Sequence, residues 1–222
     1  FYKSAATDVK GLEKFNTSNV TNMSNMFYSS KATSLNLSSF DTTNVNNMEN
    51  MFYASAATEI KGLENFNTSN VTNMKSIFRG SQATSIDLSK FSTSNITDMS
   101  YMFYNGRMTE IKGLENFDTS NVKTMNNMFA WSGVLSLDLS GFDTNKVTNM
   151  SDMFAGCKNV KKISVGSKFV LDNVTSSSDM FYNCINLVGG AGTVYNSSYQ
   201  DKTYARVDGG TDAPGYFTLK SN

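Results

Sequence analysis

A phenylalanine preceded by methionine returns along this 222-residue chain at an almost fixed interval, and such an interval dictates a stack of like coils. The positions Phe27, Phe52, Phe78, Phe103, Phe129, Phe154 and Phe181 are separated by 25, 26, 25, 26, 25 and 27 residues, and Phe1 fits one step earlier. A second series runs through Phe15, Phe40, Phe66, Phe91, Phe117, Phe142 and Phe169, so fifteen of the 16 Phe occupy two places in one repeat. Twelve of the 13 Met fill two further columns, one through Met23 to Met150 and one through Met26 to Met180, where Ile77 replaces one member. Columns of this kind predict a core built of like side chains stacked on one another. Residues 1–187 are expected to form seven coils of 25 to 26 residues, beginning in mid-repeat, and residues 188–222 a capping segment. The chain starts at Phe1 without an initiator Met or leader, which suggests a piece of a longer protein.

Within one coil the apolar spacing changes period. Residues 136–142, S-L-D-L-S-G-F, open with the apolar–polar alternation of a half-buried strand, and Val147, Met150, Met153 and Phe154 then follow at i, i+3, i+6 and i+7. The second spacing predicts a short helical segment, with the preceding Thr-Ser-Asn as its N-cap. Its Asn, Ser and Thr are mediocre helix formers, so the helices should be short, some of them 3-10. The expected architecture is an α/β solenoid: a right-handed, leucine-rich-repeat-like coil stack with one parallel sheet, short helices opposite and a β-hairpin cap.

Alternation of 25 and 26 makes a 51-residue double period. Odd coils read V-K-G-L-E-K-F or I-K-G-L-E-N-F and even coils L-N-L-S-S-F, I-D-L-S-K-F or L-D-L-S-G-F. The extra residue of the odd form falls at Gly11, Gly62 and Gly113, where glycine can adopt a bulge. Stacking would then set Lys61, Asp87, Lys112 and Asp138 on successive rungs, which avoids like charges on adjacent rungs. Read functionally, the same residues are a lysine–carboxylate ligand surface. Thr17, Thr42, Thr68, Thr93, Thr119 and Thr144 predict a hydroxyl ladder that satisfies backbone groups at each turn.

Composition excludes several functions. With no histidine, catalytic triads that use it, His-ligated zinc or haem, and imidazole bases are ruled out. Nineteen Lys+Arg balance 19 Asp+Glu, which argues against nucleic acid and against an anionic membrane surface as partner. No apolar run nears the roughly 18 residues of a membrane span. No cofactor, metal or catalytic residue is expected; Gly189, Gly190 and Gly192 lack the Lys-Ser/Thr of a phosphate loop, and Asp208 and Asp212 lack the oxygen spacing of a calcium loop.

Irregular positions are the candidates for function. Tyr28, Tyr53 and Tyr104 follow the core Phe of their coils, Arg79 and Ala130 interrupt that column, and Trp131 lies beside it. These aromatics are candidate ligand contacts, with ordinary half-buried packing as the alternative. Cys157 and Cys184 share one coil position and would lie about 5 Å apart on adjacent rungs, within reach of a disulfide. Such a bond implies an oxidising exterior; the alternative is two reduced thiols packed one above the other.

The unit L-D-L-S-G-F-D-T-N-K-V-T-N-M-S-D-M-F-A-G-C, residues 137–157, and its sisters resemble the 26-residue repeat of BspA-like leucine-rich-repeat bacterial surface proteins. The tail Y-A-R-V-D-G-G-T-D-A-P-G-Y-F-T is similar to the segment that often closes such arrays. The resemblance implies a secreted or wall-attached domain, anchored through other regions, that adheres to an unidentified protein or glycan of a host or neighbouring cell. It supplies no catalytic residues. A passive spacer displaying another domain is the second expectation.

Overall fold

The computed structural model describes residues 1–220, which form a parallel β-solenoid. Short strands recur once per coil: β1 (Ser34–Asn36), β2 (Glu59–Lys61), β3 (Ser85–Asp87), β4 (Glu110–Lys112), β5 (Ser136–Leu139) and β6 (Lys162–Val165). Five full turns separate β1 from β6. β1, β2 and β3 bury their central apolar residue, such as Leu35 or Ile86, between more exposed polar ones, as the alternation predicts, while Ile111 of β4 is half-buried and β6 buries Ser164 as well.

Helical segments do not form where the i, i+3, i+6, i+7 spacing predicts them. The stretch after each Asn or Asp column instead folds as consecutive tight turns. In one coil Met26, Tyr28 and Ser30 donate back three residues, to Met23, Asn25 and Phe27, while Asn25, Phe27 and Ser29 donate to Glu49, Met51 and Tyr53 of the next coil. Alternate amides thus close the turn and tie the coil to its neighbour, so none remains for the i→i−4 bonds of a helix. The turns require left-handed backbone at two places per coil, including Asn25 and Ser29, Asn50 and Ala54, and Asn127 and Trp131, with φ between 48° and 60°. That geometry, third in a four-residue turn, is the placement a type II turn demands. The Thr-Ser-Asn triplets are turn formers as well. Asn70 and Asn95 donate through their side chains to Thr43 and Ser69 carbonyls one coil back, at 2.8 Å each, so they link rungs rather than cap helices.

The core consists of the expected columns. Rings of Phe27, Phe52, Phe78, Phe103, Phe129, Phe154 and Phe181 stack with centroids 5.3–5.9 Å apart, all fully buried. Each offset pair adds about 1 kcal/mol to what burial contributes. Met48, Met51, Met125 and Met128 are also fully buried beside them. The threonine ladder forms: Thr68 Oγ1 donates to the Ser92 carbonyl at 3.0 Å and accepts from the Ser92 amide at 2.8 Å. Thr17 and Thr119 make the same pair of bonds to Asp41 and Asp143.

The sheet is not continuous, contrary to expectation. β1 pairs with β2, β3 with β4, and β5 with β6, but β2 does not pair with β3, nor β4 with β5. The cause is the extra glycine. Leu37 donates its amide to the Lys61 carbonyl, but at the register-equivalent position Gly62 the amide turns to the Glu64 carboxylate of its own coil, at 3.1 Å. Gly62 is left-handed, with φ 94°, and starts a 3-10 turn, Leu63–Asn65; Gly113 does the same with φ 89° before Leu114–Asn116. A Cβ on Gly62 would stand 2.4 Å from the Ser38 amide of the preceding coil, whereas one on Gly11 would meet nothing within 4 Å.

The tail closes the stack by adding a strand rather than a hairpin. β7 (Phe217–Leu219) pairs parallel to β6, and Tyr216 and Phe217 pack edge-on against Phe181 with centroids at 5.0 and 5.8 Å. Two short apolar–aromatic runs with Gly-Gly read locally as a hairpin; here the second run lies parallel to β6, covering the open edge of the solenoid, and on its other side bridges its own first run in parallel, Val207 to Phe217, rather than antiparallel. Asp208 pins the segment: one carboxylate oxygen accepts from the Ala191 and Thr193 amides, the other from the Thr193 hydroxyl and the Gly210 amide.

Two outcomes follow from this packing. Gly62→Ala should destabilise the fold by about 3 kcal/mol, combining left-handed strain with a backbone clash, while Gly11→Ala should cost only about 1 kcal/mol; denaturant melts that rank the two equally would contradict the inter-coil contact. Burial alone would raise the Asp208 pKa, but the Thr193 hydroxyl and the Thr193, Gly210 and Ala191 amides outweigh it and hold the carboxyl well below its ordinary 3.8. A depressed folded-state pKa stabilises above the unfolded value and loses that contribution as pH falls below it. Asp208→Asn should therefore cost about 3 kcal/mol at neutral pH and flatten the acid limb of the stability curve, read by chemical denaturation at a series of pH values.

Candidate functional site

The aromatic edge is positioned by the core itself. Phe27 points inward, the following Tyr28 emerges half-buried, and left-handed Ser29 then turns the chain away. Repetition at each rung stacks Tyr2, Tyr28 and Tyr53, with centroids 5.0 and 4.5 Å apart. Both ring faces of Tyr28 are thereby covered, leaving the ring edge and hydroxyl outward. Tyr53 and Tyr104 do not touch, because Arg79 stands between them. Its guanidinium carbon lies 5.3 Å from the Tyr53 ring centre, 4.8 Å from that of Tyr104 and 4.7 Å from that of Tyr101. Cation–π contacts of this sort contribute about 0.5–1 kcal/mol each at exposed sites. Sequence reasoning registered Arg79 only as a gap in the tyrosine column; the signal was the charge at a position otherwise aromatic. The hydroxyls of Tyr28, Tyr53 and Tyr104 make no hydrogen bond among the described residues, unlike Tyr195 and Tyr216 in the tail, whose hydroxyls accept from Asn183 and Asn196.

Trp131 lies apart from the column. It is 44% exposed, faces Tyr182 at 6.4 Å, and rests on Gly156, where a Cβ would intrude to 2.4 Å from the indole. It borders a cleft of about 430 Å³ whose rim carries Arg107 and Lys158.

The sheet face offers a second surface. The break between β2 and β3 opens a cleft of about 670 Å³ lined by Glu59, Lys61, Glu64, Asp87 and Lys112, and the break between β4 and β5 opens one of about 420 Å³ lined by Glu110, Lys112, Glu115 and Asp138. The expected alternation of charge is present in register, with Asp87 opposite Lys112. Direct ion pairs between neighbouring rungs do not accompany it here; Lys61 pairs with Glu59 of its own strand at 3.4 Å, and Asp138 with Lys220 of the tail. The Ser89 hydroxyl and amide lower the Asp87 pKa against burial, and Lys112 adds to this. Asp138 is pushed up by burial, but Lys220 and Ser140 bring it below its ordinary value. Carboxylates held ionised in this way are poor proton donors and suit charge recognition. Among the described residues no group of three or more Cys, Asp or Glu is placed to hold a metal, and no helix is long and apolar enough to cross a membrane.

Cys157 and Cys184 lie at stacked positions as free, fully buried thiols, with no disulfide between them in this structure. Their Sγ atoms donate to the Phe129 and Phe154 carbonyls of the preceding coil, each at 3.0 Å, whereas Ser30, Ser55 and Ser81 at this position accept from an amide of their own coil. Burial pushes Cys157 up to about 11, and burial together with its neighbour Cys157 pushes Cys184 higher still.

A protein-family model described as "Mycoplasma protein of unknown function, DUF285" matches residues 1–112 and again residues 97–204. No curated protein and no solved structure matches the chain.

The thiols give a direct check on this packing. Both should resist iodoacetamide in the native protein at neutral pH, since a protonated thiol is a weak nucleophile, and both should alkylate after unfolding without reductant. Intact mass showing two adducts supports the reduced pair; none would establish a bond between the coils.

Proposed function

We propose, from the premise that the chain belongs to the DUF285 family, that it is a BspA-like, leucine-rich-repeat-related domain of a bacterial surface protein. Its role in this reading is non-enzymatic: the domain is displayed outside the cell, through regions beyond this segment, and adheres to a protein or glycan of a host or neighbouring cell. The observation that carries the reading is the row of half-buried tyrosines around Arg79, with hydroxyls that the chain leaves without partners. Holding polar groups rigid and unused along an edge lowers the entropy cost of binding there. Serial repetition offers many equal contacts, which suits avidity more than a single catalytic centre.

A passive spacer remains the second reading, favoured by the absence, among the described residues, of any buried side-chain polar atom without a partner. A stack whose buried polar atoms are all satisfied can serve as a rod.

The two separate experimentally. Purified protein screened against glycan and matrix-protein arrays should be retained on at least one surface, and joint replacement of Tyr28, Tyr53 and Tyr104 by Ala should reduce that retention at least tenfold. Retention unchanged in the triple variant would sink the tyrosine edge, and no retention at all would favour the spacer.

A further inference from the structure

Net neutrality conceals a strong segregation of charge. The stretches that leave each core Phe and run toward the next strand are 2–7, 28–33, 53–58, 79–84, 104–109, 130–135, 155–161 and 182–188. None contains Asp or Glu, whereas they carry Lys3, Lys31, Arg79, Arg107, Lys158 and Lys161. Backbone bonds stack them in order: Lys31 donates to Ser4, Ala56 to Ser30, Gln82 to Ser55, Arg107 to Ser81, Gly133 to Gly106, Lys161 to Leu135 and Val188 to Lys161. One edge of the solenoid, roughly 34 Å long at about 4.8 Å per rung, therefore carries cations on five of its eight rungs and no carboxylate within these stretches. The ion pairs of the described residues engage Lys10, Lys61, Lys75, Lys168 and Lys220, all on other faces, and none of the six edge cations.

This is the same edge that carries the tyrosines and Trp131. We propose that it binds an acidic polysaccharide laid along the solenoid axis, its carboxylate or sulfate groups paired with Arg79, Arg107 and Lys158 and its hydroxyls bonded to the tyrosine hydroxyls. The proposal rests on the reading of the tyrosine edge as a binding surface and names its ligand class. Arg79 is held by three rings, which restrains its guanidinium at the edge, and a guanidinium suits a bidentate anion contact. Single-stranded nucleic acid fits less well, because its bases need open ring faces and those of Tyr28 are closed by Tyr2 and Tyr53. An extended acidic peptide would seek free backbone amides, and those of this edge are committed between coils. A sugar polymer needs neither; its hydroxyls suit the phenol edges, and the partly exposed indole of Trp131 suits a pyranose ring.

The test is retention of the intact protein on immobilised polygalacturonate, dextran sulfate, neutral dextran and oligo(dT) at several salt concentrations. Three proteins are compared: the native chain, the triple variant Arg79→Gln, Arg107→Gln, Lys158→Gln, and a charge-matched control with Lys10, Lys61 and Lys168 changed to Gln on other faces. The expected result is salt-sensitive retention on one or both acidic polymers, with a loss of at least tenfold in the edge variant and little change in the control, all three melting cooperatively. Preference between the two acidic polymers identifies carboxylate or sulfate as the group recognised. Equal retention of native and edge variant, equal loss in the control, stronger binding to oligo(dT), or no retention on either acidic polymer each overturns the proposal. In the last case, tyrosine-dependent retention on a neutral glycan or a protein leaves the binding-module reading standing, and its absence removes that reading as well.

Discussion

Backbone hydrogen bonds from coil to coil set the terms for everything else in this protein. They hold successive rungs about 4.8 Å apart, so each side chain lies almost directly above its counterpart. A residue can occupy a position only if it tolerates a copy of itself at that distance. Phenylalanine does, and rings 5.3–5.9 Å apart fill the core from end to end. Threonine does, because its hydroxyl reaches the next carbonyl, and asparagine does, because its amide reaches the previous one. Lysine does not, and opposite Lys61, Lys112 and Lys162 on the sheet face the neighbouring coil supplies Asn36, Asp87 and Ser136 at the same register.

That constraint explains what the sequence reveals and what it hides. Self-stacking columns survive as a period, so the coil length, the two Phe spines, the Met columns, the threonine ladder and the glycine insertions at Gly62 and Gly113 could all be read directly. The turns could not. Apolar residues spaced by three and four mark one face of a helix, but they also arise when a chain bends through successive turns whose alternate amides leave for the next coil. Nothing local distinguishes the two, since the left-handed positions are filled by Asn25, Ala54, Tyr101 and Trp131 and not by a consistent glycine. The cap is illegible for a related reason: the parallel direction in which Phe217–Leu219 runs is set by β6, an edge more than fifty residues away.

The candidate site shows the same division. Placement of Tyr28, Tyr53 and Tyr104 on one edge follows from the period alone. Their faces, however, are spent on each other and on Arg79, and that changes what the edge can offer. A tyrosine stripe first suggests flat stacking surfaces; the structure presents hydroxyl tips and a guanidinium among three rings. The cations around them went unnoticed because a formal charge of zero averages over surfaces that never meet. The sheet-face clefts were likewise invisible, as they are gaps left where a strand pairing is missing, and an absent bond has no residue type of its own.

Gly62 and Gly113 divide the sheet after every second coil, and in doing so they define the smallest piece that can be copied. A single coil added or deleted would bring like beside like: two insertions in contact, or two lysine rungs face to face. A pair of coils can be inserted or removed without disturbing either junction. The length of such a rod is therefore quantised in steps of 51 residues, and a gene that lengthens or shortens it by slippage keeps a foldable product only when it slips by two.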